Sequence, residues 1–144
     1  MIIKVEDDFK ADKCDELLTK LVHDESKYDK TNDGTYVVKD YFKNIIKKPR
    51  HILLCYEEDN IIKGYIFIKP LTPNSKIGFI DGVYVDEEYR GKGIATKLIN
   101  EAINMTKEEY NYMEINVMIN NQAAYNLYKK LGFYDLRVTL RKDI

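Results

Sequence analysis

The sequence predicts a mixed α/β fold whose first half is antiparallel and whose second half is parallel. Two apolar runs rich in β-branched and aromatic residues, 52–56 and 61–68, are separated by a short polar turn. A second observation is the order strand, helix, strand over residues 77–119. A short turn joins antiparallel strands, whereas a helix between two strands makes a parallel crossover.

The size and composition indicate one globular domain over residues 1–144. The chain has a mass of 17.0 kDa, and 44% of its residues are hydrophobic and 33% are charged. This hydrophobic content excludes a disordered chain, and the length is that of one core.

Charge and hydropathy exclude several classes of partner. Lys and Arg number 23 and Asp and Glu number 24, so the formal net charge is -1. This balance gives no general attraction to nucleic acid or to an anionic membrane. No apolar run approaches the ~20 residues that span a bilayer, and the first residues lack a signal-peptide pattern. We expect a cytoplasmic protein with no nucleic-acid or membrane partner.

Two helices are predicted before the first clear strand. Apolar residues recur at helical spacing over residues 11–25, a polar loop follows over 26–34, and the same spacing returns over 36–47. Pro49 ends the second helix because proline disfavours helix in the residue before it. The hairpin 52–56 and 61–68 comes next, with its turn over 57–60.

A third strand is predicted for residues 77–85, after a loop over 70–75. Its odd positions, 77 to 85, are apolar except for Asp81. Successive side chains of a strand point to opposite faces. We therefore expect one carboxylate on an otherwise apolar face.

The remaining elements follow from periodicity and capping residues. A helix is predicted over 94–107 and a strand over 113–119. Asn121 is a natural N-cap for a final helix, and Gly132 is placed to end that helix. Residues 133–140 are predicted to form a last strand.

Cysteine and histidine are too scarce for a disulfide framework or a metal site. The chain has Cys14 and Cys55 as its only cysteines and His23 and His51 as its only histidines. No metal is expected. Both cysteines are interpreted as core residues, with a nucleophilic Cys55 as the alternative.

The turn between the third strand and the next helix is a candidate anion site. Gly91 and Gly93 lie in it, and Arg90 and Lys92 add positive charge. Unpaired N–H groups at a helix N-terminus bind anions, and glycine lets a phosphate approach the backbone closely. The spacing excludes both the nucleotide P-loop and the dinucleotide fingerprint. The alternative interpretation is a solvated basic turn.

Two motifs resemble the GNAT superfamily of N-acetyltransferases. Tyr-Arg-Gly-Lys-Gly-Ile-Ala at 89–95 is similar to the pyrophosphate-binding signature R/Q-x-x-G-x-G/A, carried here by Arg90, Gly93 and Ala95. Residues 121–133 are similar to the second motif, N-x-x-A-x-x-L-Y followed by L-G-F. The resemblance is close over residues 77–133.

The resemblance implies a GNAT-type acyl-CoA N-acyltransferase fold with acetyl-CoA in a V-shaped gap between splayed strands 77–85 and 113–119. The pantetheine arm would pair with the strand edge, and the pyrophosphate would bind the turn. Asn121 would contact the cofactor, or serve as a helix cap alone. The implied cofactor-binding residues are Val83, Tyr84, Val85, Arg90, Gly91, Lys92, Gly93, Ile94, Ala95, Thr96, Asn121 and Tyr128.

The resemblance also assigns Tyr128 as the acid that donates to the leaving thiolate; a core tyrosine is the alternative. A lysine-like amine with pKa near 10.4 must be deprotonated, at about 4.6 kcal/mol at pH 7. Asp81 is the first candidate for the base, because family members carry an acid on this strand, and Glu114 is the second. Either carboxylate could instead bind a cationic amine or be merely exposed.

The predicted acceptor is the primary amine of a small molecule, with a protein or peptide amine as the alternative. Acidic residues at 24, 25, 29 and 33 indicate a cationic acceptor, with a solvated loop as the alternative. A non-catalytic acyl-CoA-binding module and an anion-binding interaction domain are the competing functions. Many relatives have two strands after the position of Phe133, so we expect the far wall of the acceptor site to be abbreviated or supplied by a second copy in a homodimer.

Overall fold

The structure is a computed structural model that describes all 144 residues. Its elements, in chain order, are β1 (Ile2–Lys4), α1 (Asp8–Glu25), α2 (Phe42–Ile45), β2 (Ile52–Glu58), β3 (Ile61–Pro70), β4 (Ile77–Val85), α3 (Ile94–Thr106), β5 (Tyr112–Ile115) and α4 (Gln122–Lys130). The strands form one sheet in the order β1-β2-β3-β4-β5, parallel only between β4 and β5. The predicted mixed α/β fold is confirmed. No helix is long and apolar enough to cross a membrane.

The sheet separates two hydrophobic cores. On one face, α1 and α2 bury residues such as Cys14, Phe42 and Tyr65. On the other face, α3 packs through Leu98 and Ile99, and α4 adds partly buried side chains to the same core. The sheet therefore carries helices on both of its faces.

In the N-terminal region, the first helix begins earlier than predicted and a strand precedes it. The side chain of Asp7 caps α1 by accepting a hydrogen bond from the N–H of Lys10 at 2.8 Å, so the helix begins at Asp8 rather than residue 11. Strand β1, which was not predicted, pairs antiparallel with β2 over three residues. A run of three residues carries too little periodicity to identify a strand.

The predicted helix over residues 36–47 is wrong for most of its length, because α2 spans only Phe42–Ile45. The carboxylate of Asp15, in α1, accepts hydrogen bonds from the N–H groups of Tyr41 at 3.3 Å and Phe42 at 3.0 Å. Asp40 has a φ of 55°, outside the helical region. A buried carboxylate from another helix thus fixes where α2 begins.

The predicted hairpin is confirmed, with a shorter turn. Only Asp59 and Asn60 lie between β2 and β3, and their φ values are 55° and 62°. Two consecutive residues with positive φ form the turn that matches the twist of antiparallel strands.

Strand β4 has the predicted bounds, but its odd positions do not share one face. In the pairing with β3, Phe67 is opposite Gly82 and Ile68 is opposite Ile80, so Asp81 is the extra residue of a β-bulge. A bulge shifts the alternation by one residue. Ile80 and Val83 consequently pack in the same core. The prediction that the odd positions 77 to 85 form one apolar face around Asp81 is therefore wrong.

The last helix has the predicted ends. The Asn121 side chain accepts a hydrogen bond from the N–H of Ala124 at 3.4 Å. At the other end Gly132 has a φ of 95°, and its N–H bonds to the carbonyl of Lys129 while the N–H of Phe133 bonds to that of Tyr128. These bonds define a Schellman motif, in which glycine suits the left-handed position.

The two C-terminal strands are predicted incorrectly. Strand β5 ends at Ile115 instead of residue 119, and residues 133–140 form no strand. Residues 134–144 make no backbone hydrogen bond to any other residue. Alternating apolar residues favour a strand, but a strand requires a ladder partner, which this segment does not have within the chain.

Candidate active site

The sheet opens into a gap between β4 and β5. The two strands pair only from Ile77 opposite Tyr112 to Ile80 opposite Ile115. Residues 82–85 of β4 continue with β3 as their only strand partner. The bulge at Asp81 lies where β5 ends, so the sheet opens there and one edge of Val83, Tyr84 and Val85 has no strand neighbour.

The turn that follows β4 presents a row of free N–H groups. None of the N–H groups of residues 91–96 donates a hydrogen bond, and the first helical bond of α3 runs from Lys97 to the carbonyl of Gly93. Gly91 and Gly93 have φ values of 80° and 77°, and a Cβ atom on either would meet no atom within 4 Å. The turn is therefore an open anion site at a helix N-terminus.

Arg90 links this turn to the end of α1. Its Nε donates to the carbonyl of Val85 at 2.8 Å and its Nη2 donates to Asp24 at 3.0 Å. The guanidinium also lies over the ring of Tyr84, with 5.1 Å between the guanidinium carbon and the ring centroid. A little less than half of the Arg90 side chain remains exposed, so it still presents positive charge beside the turn.

Tyr128 lies on the other side of the gap, on α4. Its ring packs edge-on against Phe133, with 6.0 Å between the centroids. Burial, and then the charge of Glu25, raises the pKa of Tyr128 to about 12. The phenol is therefore protonated throughout the physiological range and has a proton to donate in a hydrogen bond.

Two carboxylates, Glu25 at the end of α1 and Asp81 on β4, influence each other electrostatically. Glu25 is exposed as a residue, yet burial of its carboxyl raises its pKa, and the charge of Asp81 raises it further. Asp81 is about one-third exposed, and its nearest cation is the Nζ of Lys69 at 3.7 Å. The charge of Asp81 thus affects the carboxyl group of Glu25, and we call these two carboxylates the acidic pair.

Glu114, the second candidate base, already has a partner. Arg137 donates to its carboxylate at 3.1 Å, and the Glu114 side chain is largely buried. It lies on the part of β5 that still pairs with β4, opposite Phe79. Glu114 therefore has a hydrogen-bonded cationic partner, whereas the Lys69 contact of Asp81, at 3.7 Å, is longer than a hydrogen bond.

A buried tyrosine that the sequence did not single out faces the bulge. The hydroxyl of Tyr65 is fully buried and has no hydrogen-bond partner. A Cβ atom on Gly82 would lie 2.8 Å from this oxygen, so only glycine leaves room for it. No local motif could have identified Tyr65, because it reaches the bulge from β3.

Other predicted positions have structural roles. Cys55 is fully buried, and burial raises the pKa of its thiol to about 11, which argues against a nucleophile. Asn121 caps α4, and its contact with a cofactor stays a prediction. No group of three or more His, Cys, Asp or Glu residues is arranged to hold a metal ion.

Comparison with known proteins agrees with this geometry. The model of the acetyltransferase (GNAT) family matches residues 15–133. The chain belongs to the GNAT acetyltransferase family.

One sequence relative of this GNAT chain is an N-alpha-acetyltransferase of Sulfurisphaera tokodaii. The two sequences are 33% identical over 109 residues, and the alignment covers 68% of this chain and 65% of the relative. The match thus covers less than two-thirds of the length of this relative. In fold, a mutant protein from Bacillus halodurans is similar, with a TM-score of 0.81, 20% identity and coverage of 100% of this chain and 99% of that chain. An aminoglycoside acetyltransferase bound to a CoA-containing bisubstrate analogue has a TM-score of 0.74 at 16% identity, covering 100% and 97% of the two chains.

Proposed function

We propose that the protein is an acetyl-CoA-dependent N-acetyltransferase that acetylates a primary amine, acting through a single domain. One observation carries the proposal: the gap at Asp81, from which the unpaired edge of β4 leads directly to the free N–H groups of the turn. A linear acyl carrier with a pyrophosphate at one end matches this arrangement.

The cofactor site combines an edge and an anion site. The pantetheine arm pairs with the free edge around Val83, Tyr84 and Val85, and the pyrophosphate accepts from the N–H groups of residues 91–96. Arg90 and Lys92 supply charge at its rim. In this position the thioester lies at the bulge, between the acidic pair and α4.

The acidic pair prepares the acceptor. Asp81 and Glu25 attract an ammonium group, and Asp81 removes its proton directly or through a water molecule. The free amine then attacks the thioester carbonyl carbon, and the C–N bond forms as the C–S bond breaks. The proton that the new amide nitrogen loses passes to the departing thiolate, directly or through water, and gives the CoA thiol. A general base of this kind contributes about 10²- to 10⁴-fold in rate.

Tyr128 stabilises the leaving sulfur. Its pKa of about 12 lies about 3.5 units above that of a thiol, so complete proton transfer to a thiolate would be uphill by about 5 kcal/mol. We therefore assign to Tyr128 a hydrogen bond to the developing thiolate rather than a completed transfer.

The first candidate acceptor is a small cationic amine. Two carboxylates, Asp81 and a Glu25 whose pKa is raised by burial and then by the charge of Asp81, can face more than one positive charge. Nucleic acid is not an acceptor in this proposal.

The second candidate is the α-amine of a peptide or protein. The N-alpha-acetyltransferase of Sulfurisphaera tokodaii, 33% identical to this chain, favours it. An α-amine has a pKa near 8, so its deprotonation at pH 7 requires only about 1.4 kcal/mol.

The experiment is a thiol-release assay with acetyl-CoA and a panel of acceptors. The panel contains spermidine and an aminoglycoside, peptides with free N-termini and internal lysines, and the same peptides with blocked N-termini. Mass spectrometry then locates the acetyl group.

Activity on the small amines alone supports the first candidate, and activity lost on blocking the N-terminus supports the second. Binding of acetyl-CoA with no thiol release on any amine would leave a non-catalytic acyl-CoA-binding module. The matched variant is Asp81→Asn, which keeps the side-chain volume and removes the charge.

A further inference from the structure

One lysine of the chain lies beside the carboxylate that we propose as the base. The Nζ of Lys69, in β3, is 3.7 Å from a carboxylate oxygen of Asp81. No other lysine forms an ion pair with Asp81 or with Glu25. A primary amine of the protein itself thus lies next to the group that removes a proton from the acceptor amine.

The strand pattern places Lys69 on the face of the sheet that α1 and α2 cover. Along β3, Tyr65 and Phe67 pack in the core under these two helices, whereas Ile66 and Ile68 pack in the opposite core. Successive side chains of a strand point to opposite faces. Lys69 therefore shares the face of Tyr65 and Phe67.

The bulge places Asp81 on the same face. Ile80 and Val83 flank the bulge and both pack in the core on the far side of the sheet. The two residues between them face the other way, since a Cβ atom on Gly82 would lie 3.5 Å from the side chain of Leu21 in α1. The contact between Asp81 and Lys69 follows from this arrangement.

The ion pair also lies where the sheet opens. Ile80 is the last residue of β4 that pairs with β5, and Asp81 comes next. About one-third of the Lys69 side chain is exposed, and its contact with Asp81 is longer than a hydrogen bond. A lysine amine at the end of a flexible four-carbon stem can therefore move from this contact toward a thioester at the bulge.

We propose that Lys69 is a self-acetylation site, at which the enzyme transfers the acetyl group of acetyl-CoA to the Nζ of its own chain. The inference rests on the proposed function, because acetyl-CoA is the donor. Asp81 accepts one proton from the Lys69 ammonium, the amine attacks the thioester carbonyl carbon, and the C–N bond forms as the C–S bond breaks. The proton that the new amide nitrogen loses passes to the departing thiolate and gives the CoA thiol.

The modification changes the charge beside the base. Acetylation removes the positive charge of a lysine. Asp81 then loses its nearest cation and faces the acceptor without a competing ammonium group.

Lys43 is the matched control within the same molecule. Its side chain is 32% exposed, against 33% for Lys69, and its Nζ is 2.9 Å from Asp40. Lys43 lies in α2, and its carboxylate partner has no part in the proposed reaction. Uncatalysed acetylation in solution should affect the two lysines alike, whereas transfer at the gap should favour Lys69.

The test follows acetylation of Lys69 and Lys43 in time by peptide mass spectrometry, after addition of acetyl-CoA with a deuterated acetyl group. Lys69 is expected to react at least about tenfold faster than Lys43. Its rate per molecule should not depend on protein concentration, because donor site and lysine belong to one chain. Acetyl-Lys69 that is already present in purified wild type, but absent from purified Asp81→Asn, would have the same meaning.

Two variants separate catalysed transfer within one chain from other routes. Asp81→Asn is expected to slow acetylation of Lys69 about 100-fold and to leave that of Lys43 unchanged. Lys69→Arg keeps the positive charge but has no acetylatable amine at this position. When Lys69→Arg is mixed with Asp81→Asn and acetyl-CoA, Lys69 of the Asp81→Asn chain should stay unmodified. Circular dichroism checks that both variants are folded.

Three outcomes would overturn the inference. They are equal rates at Lys69 and Lys43, an unchanged rate at Lys69 in Asp81→Asn, and acetylation of the Asp81→Asn chain by Lys69→Arg in the mixture. Turnover of an amine of the acceptor panel with Lys69 unmodified would overturn this inference alone. Absence of acetyl-CoA binding would overturn the proposed function as well.

Discussion

Replacing Tyr128 by phenylalanine isolates the hydroxyl that we assign to the leaving thiolate. The variant keeps the ring that packs on Phe133 at 6.0 Å and removes only an oxygen buried beside the gap. A hydrogen bond to a charged group is worth about 1.5–3 kcal/mol. We therefore expect kcat to fall by about 10- to 150-fold, with little change in acetyl-CoA affinity.

The assay is single-turnover acetyl transfer under saturating acetyl-CoA, so that product release does not mask the chemical step. Because the pKa of Tyr128 is about 12, the hydroxyl stays protonated at every accessible pH. The variant and the wild type should therefore show pH–rate profiles of the same shape, displaced in rate.

Tyr125→Phe is the matched control, because Tyr125 lies on the same helix and its hydroxyl bonds to Asp135 outside the gap. We expect it to retain wild-type kcat. A Tyr128→Phe enzyme with kcat within twofold of wild type would refute the assigned role, as would equal losses in the two variants.

Three further predictions concern the base, the cofactor turn and the start of α2. Asp81→Asn should lower kcat at least 100-fold if Asp81 is the base. Because the charge of Asp81 adds to the effect of burial in raising the pKa of Glu25, the acidic limb of the pH–rate profile of the remaining activity should move to lower pH. Full activity of the variant over pH 6 to 9 would reject the assignment. Arg90→Met should raise the acetyl-CoA Kd roughly tenfold. Lys92→Met removes only an exposed charge and should raise the Kd less than about fivefold. Equal losses of acetyl-CoA affinity in the two variants, measured by calorimetry, would contradict the role given to Arg90. Asp15→Ala removes the acceptor for two N–H groups at the start of α2. Thermal unfolding should therefore show a Tm lower by roughly 3–8 °C. An unchanged Tm would mean that Asp15 does not fix the start of this helix.

Local signals explain which parts of the fold were predictable. The bounds of β4, the caps of α4 and the glycine turn follow from neighbouring residues, and the structure contains all three. Gly93 illustrates the reason. The strand before it, the helix after it and its own positive φ are all encoded within a few positions of the sequence.

Long-range contacts explain the errors. The start of α2 depends on Asp15, 27 residues before Phe42, and no periodicity within residues 36–47 contains that information. The bulge at Asp81 is likewise a property of the pairing between β3 and β4. Alternation within one strand cannot reveal it.

The candidate site was only partly predictable for the same reason. Tyr128 and Asp81 came from motifs and from position on a strand. The pairing of Asp81 with Glu25, and the burial of Tyr65 against Gly82, bring together residues from α1, β3 and β4. Such neighbours are set by tertiary packing.

The central claim, that the gap and the glycine turn bind acetyl-CoA, is tested most directly by thermal unfolding with ligand. Acetyl-CoA and CoA at about 100 times Kd should each stabilise the fold by about 2.7 kcal/mol and raise Tm by roughly 5–10 °C, whereas ATP, which lacks the pantetheine arm, should raise it far less. No rise with acetyl-CoA or CoA, or an equal rise with ATP, would contradict the claim.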